Sequence, residues 1–436
     1  MSIAVDVHEW QKASFATHTQ LVGLALPEDD LTQQVIEELS ESGHLKIIQH
    51  RKGLQLETAS HVGRITIGDL QITIRPKIKL LPLLRLMQYA YGLRQLDLFS
   101  AVTFDTETLT FQDLLINQFA LEVSDLLSRG LQRQYAQKDE MLVSPRGRIS
   151  FQRMANQGGV LQASLPCMHY LRLEDCLMNQ VILQGVHLGI QLAHDERLRL
   201  KLQHLEHFHL SGVSSVKLSW PLLNRARREM NRLMTTYLSA ITLIEIFFAA
   251  TGISMDEQHQ ALHLPGFLFD MNVFFQNLLS RFLKEHLPEH EVRDQFELDT
   301  VMTYVNNPRR HQAPKLRPDY VIQHKGKTVA ILDAKYRDLW QEPLPSHMLY
   351  QLVMYAMSQD ACNSATILYP TTTPGAEDVT IEMRIPSHQK RYVSVVLRPV
   401  DLLQLDMLLQ ETRGRNNMRM RIKFAKQLTG ADFRNP

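Results

Sequence analysis

Two acidic residues and a lysine lie within one short stretch near the end of the sequence, in an order that suits phosphate chemistry. Asp319 begins one apolar run, whereas Asp333 and Lys335 follow a second run, Val329–Leu332. Both runs are rich in β-branched and aromatic residues, which predicts two strands joined as a hairpin. If Lys325–Lys327 is a three-residue loop, Asp319 pairs opposite Asp333, with Cβ atoms about 5 Å apart.

Opposed carboxylates repel each other, so this pairing indicates a divalent cation bound between them. Strand alternation places Asp333 and Lys335 on one face and Ala334 on the other. A cation held by carboxylates polarises a phosphoryl oxygen, and an ammonium beside it can orient a water or neutralise developing charge. The predicted reaction is phosphodiester hydrolysis, and the alternative is an exposed hairpin with scattered charges. Oxygen ligands favour Mg²⁺ or Mn²⁺ over Zn²⁺.

A helix is predicted after the hairpin, capped by Ser346 and running to about Gln359. Gln351 and Tyr355 are four residues apart and therefore share one face of it. The alternative is an ordinary amphipathic helix with Gln351 exposed and an inward face of aliphatic residues. That inward face consists of Leu349, Leu352, Val353 and Ala356.

These segments resemble a known nuclease pattern. Pro318-Asp319 followed by Asp333-Ala334-Lys335 resembles the PD-(D/E)xK motif, and Gln351 with Tyr355 resembles the QxxxY helix of one branch of those nucleases. Most of the chain is similar to McrC, the nuclease subunit of McrBC-type modified-cytosine restriction systems. The segments that carry this similarity, besides the hairpin, are GRITIGDLQITIRPKI, GLQRQYAQKDEMLVSPRGRISF, LEDCLMNQVI and FLFDMNVFFQNLL.

The resemblance implies an endonuclease that cleaves double-stranded DNA with Mg²⁺ and acts with a hexameric AAA+ GTPase of the McrB kind. Carried over by position, Asp319, Asp333 and the backbone carbonyl of Ala334 hold the metal, and Lys335 is the catalytic lysine. The supporting residues are Gln351 and Tyr355.

The chain departs from the nuclease pattern at one position. Gln276 stands where such nucleases often carry a glutamate, so either the site binds its metal more weakly or a third carboxylate comes from another acid such as Glu285. Two other functions remain open. The chain can be a non-catalytic adaptor that activates an AAA+ ring, or a stand-alone nuclease for repair or junction resolution.

The 436 residues predict two or three domains. Residues 1–105 read as an α+β module with β-hairpins, the clearest around Gly68-Asp69, and residues 106–260 as a mainly helical scaffold. Both segments are predicted to bind the partner. Residues 261–436 alternate strands and helices, which predicts an α/β nuclease domain of the PD-(D/E)xK type with a central mixed sheet and a basic C-terminal tail.

Four arginines outside the hairpin are candidates for contacts with the partner or with DNA phosphates, with a merely solvated role as the alternative. A net charge of +1 does not decide between them, because a nucleic-acid-binding surface can be local. The candidates are Arg64, Arg75, Arg146 and Arg148.

Several other sites are disfavoured by spacing. The three cysteines form no CxxC pair, and His204, His207 and His209 lack zinc-finger spacing. The sequence Gly326-Lys327-Thr328 links two strands rather than opening a helix, so no nucleotide is expected to bind this chain alone.

The N-terminus lacks the pattern of a signal peptide, and the apolar tract 240–253 is too short for a membrane span and contains Glu245. A cytoplasmic protein with no membrane partner is therefore predicted.

Overall fold

A computed structural model describes residues 3–27, 29–93, 110–156, 163–251, 266–298, 302–358, 363–384, 392–410 and 415–430. The chain divides into two compact units, one formed by Met1–Gln95 with Leu268–Pro436 and the other by Leu96–Phe267. This differs from the predicted division into three consecutive segments, since the first and last of these share one unit. The physical reason is strand pairing, because the strand Gly266–Asp270 joins a sheet whose other strands lie within residues 3–75.

The first part of unit 1 is the predicted α+β module. Its clearest hairpin is confirmed, because Ile67 pairs with Leu70 across the two-residue turn Gly68-Asp69. Alternate residues of this hairpin are buried, including Ile65, Ile72 and Ile74. The elements are β1 (Ile3–His8), β2 (Lys12–Ser14), α1 (Asp30–Glu41), β3 (Leu45–His50), β4 (Gly53–Thr58), β5 (His61–Ile67), β6 (Leu70–Arg75) and α2 (Leu80–Tyr91).

Unit 2 is largely helical, as predicted for the middle of the chain, but it also contains a three-stranded sheet that the sequence did not reveal. The apolar face of residues 112–137 predicts a helix that runs to about residue 135, but the helix ends at Arg129, before Gly130, and a strand begins at Gln134. That strand is mostly polar and exposed, so it lacks the alternation that signals a half-buried strand. The elements are α3 (Phe111–Arg129), β7 (Gln134–Leu142), β8 (Arg148–Ile149), α4 (Phe151–Asn156), β9 (Leu165–Leu173), α5 (Leu177–Leu192), α6 (Glu196–His209), α7 (Trp220–Glu229) and α8 (Leu238–Thr251).

The segment Met234–Thr251, which includes α8, is long and apolar enough by length and composition to cross a membrane. The tract 240–253 by itself was predicted to be too short, but a 3₁₀ turn at Arg232–Tyr237 extends the helical run. Of this segment, 61% is buried inside the protein, and the buried side chains include Ile241, Ile244 and Phe247.

The second part of unit 1 holds a six-stranded sheet in the order β11-β12-β13-β14-β16-β15. It is a mixed sheet, since β13, β14 and β16 are parallel while the other pairings are antiparallel. The elements are β10 (Gly266–Asp270), α9 (Met271–His286), β11 (Glu291–Asp294), β12 (Tyr320–His324), β13 (Lys327–Ala334), α10 (Ser346–Met357), β14 (Ser364–Thr371), β15 (Val379–Arg384), β16 (Tyr392–Asp401), α11 (Leu402–Gln410) and α12 (Arg415–Thr429).

Two helices position the hairpin of β12 and β13. Helix α10 buries Leu352 and Ala356 in a core that includes Val321, Ile331 and Ile367 of the sheet. The apolar periodicity of residues 268–287 predicts a helix over that range, but α9 begins at Met271, because residues up to 270 form β10. The carboxylate of Asp270 accepts a hydrogen bond from the N–H of Asn272 at 2.7 Å and so caps the helix.

Candidate active site

The hairpin places the two predicted carboxylates opposite each other. Tyr320 pairs with Leu332, so the next position in the register sets Asp319 against Asp333. The predicted loop was one residue too long, because Lys325 and Gly326 alone form it, with φ of 49° and 77°. Positive φ at both positions is typical of a tight hairpin turn, and a β-bulge after Ile322 accommodates the extra residue and preserves the register.

Asp319 is 9% exposed, and both of its carboxylate oxygens accept hydrogen bonds. The backbone N–H of Ala334 donates to Oδ2 at 2.8 Å, and the side-chain amide of Gln276 donates to Oδ1 at 3.1 Å. The backbone carbonyl of Asp319 also accepts from the N–H of Gln295 at 2.8 Å. Asp319 is therefore fixed by α9, β13 and the residue that follows β11.

Asp333 is only 3% exposed, although it carries a carboxyl group. Burial and the nearby Asp319 raise its pKa to about 6, while Lys335 partly offsets this. The ammonium of Lys335 lies 3.0 Å from Oδ2 of Asp333 and 4.0 Å from Oδ2 of Asp319. Burial opposes the charge of Lys335, but both carboxylates outweigh that effect and raise its pKa, so it is an ammonium at neutral pH.

The donor set fits a divalent cation. The two carboxylates are buried and face each other, and burial together with Asp319 raises the pKa of Asp333, so a cation between them would relieve repulsion. Within the described residues no group of three His, Cys, Asp or Glu side chains is placed to hold a metal, so protein carboxylates number two here. Magnesium is commonly held by one or two carboxylates with waters completing its shell. The carbonyl of Ala334 remains a predicted third donor.

A third carboxylate from α9 does not reach this pair. Gln276 occupies the place on the helix that faces Asp319, and its backbone carbonyl accepts a hydrogen bond from the hydroxyl of Tyr320 at 2.7 Å. Glu285 lies nine residues further along, on the opposite side of a helix. Its carboxylate instead accepts hydrogen bonds from Tyr89 and Arg281, each at 2.7 Å. The suggestion of Glu285 as a ligand is therefore wrong.

Gln351 and Tyr355 act on the backbone before Asp319 rather than on the carboxylates. The amide of Gln351 donates to the hydroxyl of Tyr355 at 2.6 Å, and that hydroxyl donates to the carbonyl of Arg317 at 3.1 Å. Tyr355 is buried while Gln351 is exposed, so the predicted inward face and the polar pair coexist. Ser346 is not the cap, since it is the first helical residue after Pro345.

The four candidate arginines fall in two different compact units. Arg64 is half-buried beside Thr73, and Arg75 forms an ion pair with Asp6 at 2.7 Å, so both are engaged within unit 1. Arg146 and Arg148 are exposed in unit 2. Arg148 also lines a cavity of about 600 Å³ next to Asp139, Phe151 and Arg153.

One buried network next to the site was not predicted. Glu9 is fully buried and accepts hydrogen bonds from the hydroxyl of Tyr336 at 3.0 Å and from the N–H of Lys77 at 2.7 Å. Burial raises the pKa of Glu9 to about 7. The backbone N–H of Tyr336 donates to the side chain of Asn272 on α9 at 3.3 Å. A lone acid after a strand gives no sequence signal that it will meet a residue 327 positions away.

Comparison with known proteins finds one matching family and solved structures with a similar fold. The sequence matches the family described as McrBC 5-methylcytosine restriction system component over residues 56–370. The refined half-complex from a tetradecameric assembly of Thermococcus gammatolerans McrB AAA+ hexamers with bound McrC has a chain with a TM-score of 0.63 and 18% identity, covering 96% of this chain and 99% of that one. A cryo-EM structure of the Thermococcus gammatolerans McrBC complex has a chain with a TM-score of 0.47 and 16% identity, covering 65% and 88%. No curated protein matches significantly.

Proposed function

Because the chain belongs to the McrBC 5-methylcytosine restriction system component family, we propose that it is the nuclease subunit of such a system, cleaving double-stranded DNA. The six-stranded mixed sheet is then the core of a PD-(D/E)xK nuclease domain. The observation that supports this proposal most directly is the pair of buried carboxylates, Asp319 and Asp333, with the half-buried Lys335 beside them. Its ammonium lies within 4.0 Å of both carboxylates.

A purely structural role for this set is disfavoured on energetic grounds. Two buried carboxylates with one ammonium leave a net negative charge, which is unfavourable in a folded core unless a further cation is bound. A site for Mg²⁺, or for Mn²⁺, accounts for the excess charge. An adaptor that only docked onto a partner would gain no stability from keeping it.

The residues divide the chemistry among them. Asp319 and Asp333 would hold the cation, which when bound supplies a Lewis acid for the scissile phosphate. Lys335 is positioned to orient the attacking water or to neutralise negative charge that develops on the phosphate. Gln276 and the N–H of Ala334 keep Asp319 in place, so its oxygens need little reorganisation.

Gln351 and Tyr355 act through the backbone before Asp319 rather than directly on the phosphate. Tyr355 holds the carbonyl of Arg317, and Gln351 holds Tyr355. Burial raises the pKa of Tyr355 to about 12, so its hydroxyl remains a donor at neutral pH. Through Arg317 this pair sets where the chain enters β12, and therefore where Asp319 lies.

The experiment that tests the activity is cleavage of methylated plasmid DNA by the full chain, with and without its AAA+ partner, in Mg²⁺ and in EDTA. We expect cleavage by the wild type that Lys335→Ala abolishes. Lys284→Ala is the matched control, because Lys284 forms an ion pair with Asp294 in the same unit. Cleavage in EDTA, or full activity of Lys335→Ala, would contradict the proposal.

The partner in this proposal is a hexameric AAA+ GTPase. The solved structure with a TM-score of 0.63 is an assembly of McrB AAA+ hexamers with bound McrC, and the present chain shares the fold of its matching chain over 96% of its own length. The predicted assignment of residues before about 260 to the partner needs one change. A fragment 1–260 would separate residues 1–95 from 268–436, which form one unit, so the full chain has to be used.

The test of partner activation is the GTP turnover of the AAA+ protein in the presence of the full chain. An arginine added to a GTPase site can raise a slow rate by stabilising transition-state charge. Arg146 and Arg148 are exposed, whereas Arg64 is half-buried and the exposed Arg75 is paired with Asp6, so we expect Arg146→Ala/Arg148→Ala to reduce stimulation. Arg197→Ala/Arg228→Ala, which changes two exposed arginines of the same unit, is the control. Equal effects of both double variants would remove these arginines from the proposal.

A further inference from the structure

The loop between β11 and β12 is anchored beside the carboxylate pair. Leu298 and Leu316 form an antiparallel bridge at its base, and Lys315 pairs with Glu297 at 2.6 Å. Immediately after the bridge, Nε of Arg317 donates to the carbonyl of Gln295 at 3.1 Å. The chain therefore re-enters the sheet within three residues of Asp319.

The middle of this loop is a turn held in one shape by its own hydrogen bonds. The N–H of Arg310 donates to the carbonyl of Asn307 at 3.1 Å, with Pro308 and Arg309 between them. The side chain of Asn307 donates to the carbonyl of His311 at 2.6 Å and accepts from its N–H at 2.9 Å. Asn at the first position and Pro at the second are favoured in such turns. The turn is therefore pre-organised.

The exposed groups of the loop carry positive charge and apolar surface. Residues 302–317 contain no Asp or Glu, while Arg309 and Arg310 are exposed on the turn. Arg310 also adopts a φ of 52°, which a non-glycine residue adopts only at some energetic cost. Tyr304 is 50% exposed and Val305 is fully exposed. The loop thus presents two exposed arginines and, a few residues earlier in the chain, two exposed apolar side chains, which suit the phosphates and the sugar edges of a nucleic acid.

We propose that this loop, residues 302–317, is a DNA-backbone clamp that seats duplex DNA against the carboxylate pair. Arg309 and Arg310 contact phosphates, and Tyr304 with Val305 contacts the sugars between them. This proposal rests on the nuclease function and names a surface that holds its substrate. The clamp reads no base, since phosphate contacts position a protein on DNA without specifying sequence.

Salt dependence of duplex binding tests the clamp. The chain with Asp333→Asn, which is expected not to cleave, is titrated with an unmethylated duplex over a range of KCl concentrations. Each lost phosphate contact reduces the slope of log Kobs against log salt by about 0.9. Adding Arg309→Ala/Arg310→Ala is therefore expected to reduce the slope by about 1.8, and Arg309→Lys/Arg310→Lys to restore most of it.

The control is Arg51→Ala/Arg384→Ala in the same background, because both arginines are exposed in unit 1 and Arg384 lies on β15 at the opposite edge of the six-stranded sheet. An unchanged slope for the Arg309→Ala/Arg310→Ala variant overturns the clamp proposal. The proposal is also overturned if the control variant lowers the slope by the same amount, or if the Asp333→Asn chain does not bind the duplex at low salt. A variant that loses only its AAA+ partner also overturns it and assigns the turn to that partner. If plasmid cleavage fails while the slope changes as expected, the clamp stands and the nuclease proposal fails.

Discussion

Replacing Asp333 with Asn should stabilise the metal-free protein at alkaline pH while abolishing DNA cleavage. Burial and Asp319 raise the pKa of Asp333 from 3.8 to about 6, so the folded chain holds this proton more tightly than the unfolded chain. Stability therefore falls as pH rises from about 4 to about 6. The gap between the two pKa values corresponds to about 3 kcal/mol, since one pKa unit is about 1.4 kcal/mol.

Asparagine has nearly the same shape and carries no charge, so Asp333→Asn removes this penalty. Lys335 loses its partner at 3.0 Å but keeps Asp319 at 4.0 Å. For a unit of this size, 1 kcal/mol shifts the unfolding temperature by about 2–4 °C. The gain of about 3 kcal/mol should therefore raise the unfolding temperature of the variant by about 6–12 °C over the wild type at pH 8 in EDTA. At pH 4 the two proteins should unfold together.

The assay is thermal unfolding at both pH values, in EDTA and in Mg²⁺. Magnesium at about 100 times its Kd should add about 2.7 kcal/mol to the wild type and little to the variant. Asp294→Asn is the matched control, because Asp294 is an exposed acid of β11 paired with Lys284. A lower unfolding temperature for metal-free Asp333→Asn at pH 8, or an equal magnesium shift in both proteins, would refute the electrostatic account of the site.

Three further outcomes are expected. Lys335→Ala should lose cleavage while its circular dichroism and partner binding stay near those of the wild type, and loss of the folded signal would point to a structural lysine instead. Glu9→Gln should stabilise the chain at pH 8 but not at pH 4. Burial raises the pKa of Glu9 from 4.5 to about 7, so ionisation of this carboxyl group disfavours folding as pH rises through that range. The free energy of chemical unfolding at both pH values tests this. Calorimetry should show Mg²⁺ or Mn²⁺ binding that Asp319→Asn removes, and tight Zn²⁺ binding that depends on the exposed His204, His207 and His209 would contradict the oxygen-ligand site.

The local pattern of apolar and polar residues was sufficient to predict the elements whose structure depends only on neighbours in sequence. The alternation around Gly68-Asp69 predicted a hairpin that the structure confirms, since period-2 burial depends only on strand geometry. The same reasoning set Asp319 opposite Asp333. It succeeded although the loop was one residue shorter than predicted, because a β-bulge compensates for the difference.

Pattern was not sufficient where polar strands or helix ends were involved. Strand β7 has no apolar alternation, so it was hidden in a segment read as helical. The start of α9 is predicted three residues early, because the apolar run Phe267–Phe269 suits a buried strand and a helix equally well.

The sequence by itself determined which groups can do chemistry here, because the side-chain types and strand register of Asp319, Asp333 and Lys335 are local properties. Only the tertiary structure decided what surrounds them. It brought Gln276 rather than Glu285 to Asp319, and it set Glu9 against Tyr336. Those contacts join residues far apart in the chain, and they are chosen by the packing of whole elements and the exclusion of water, which no local spacing encodes.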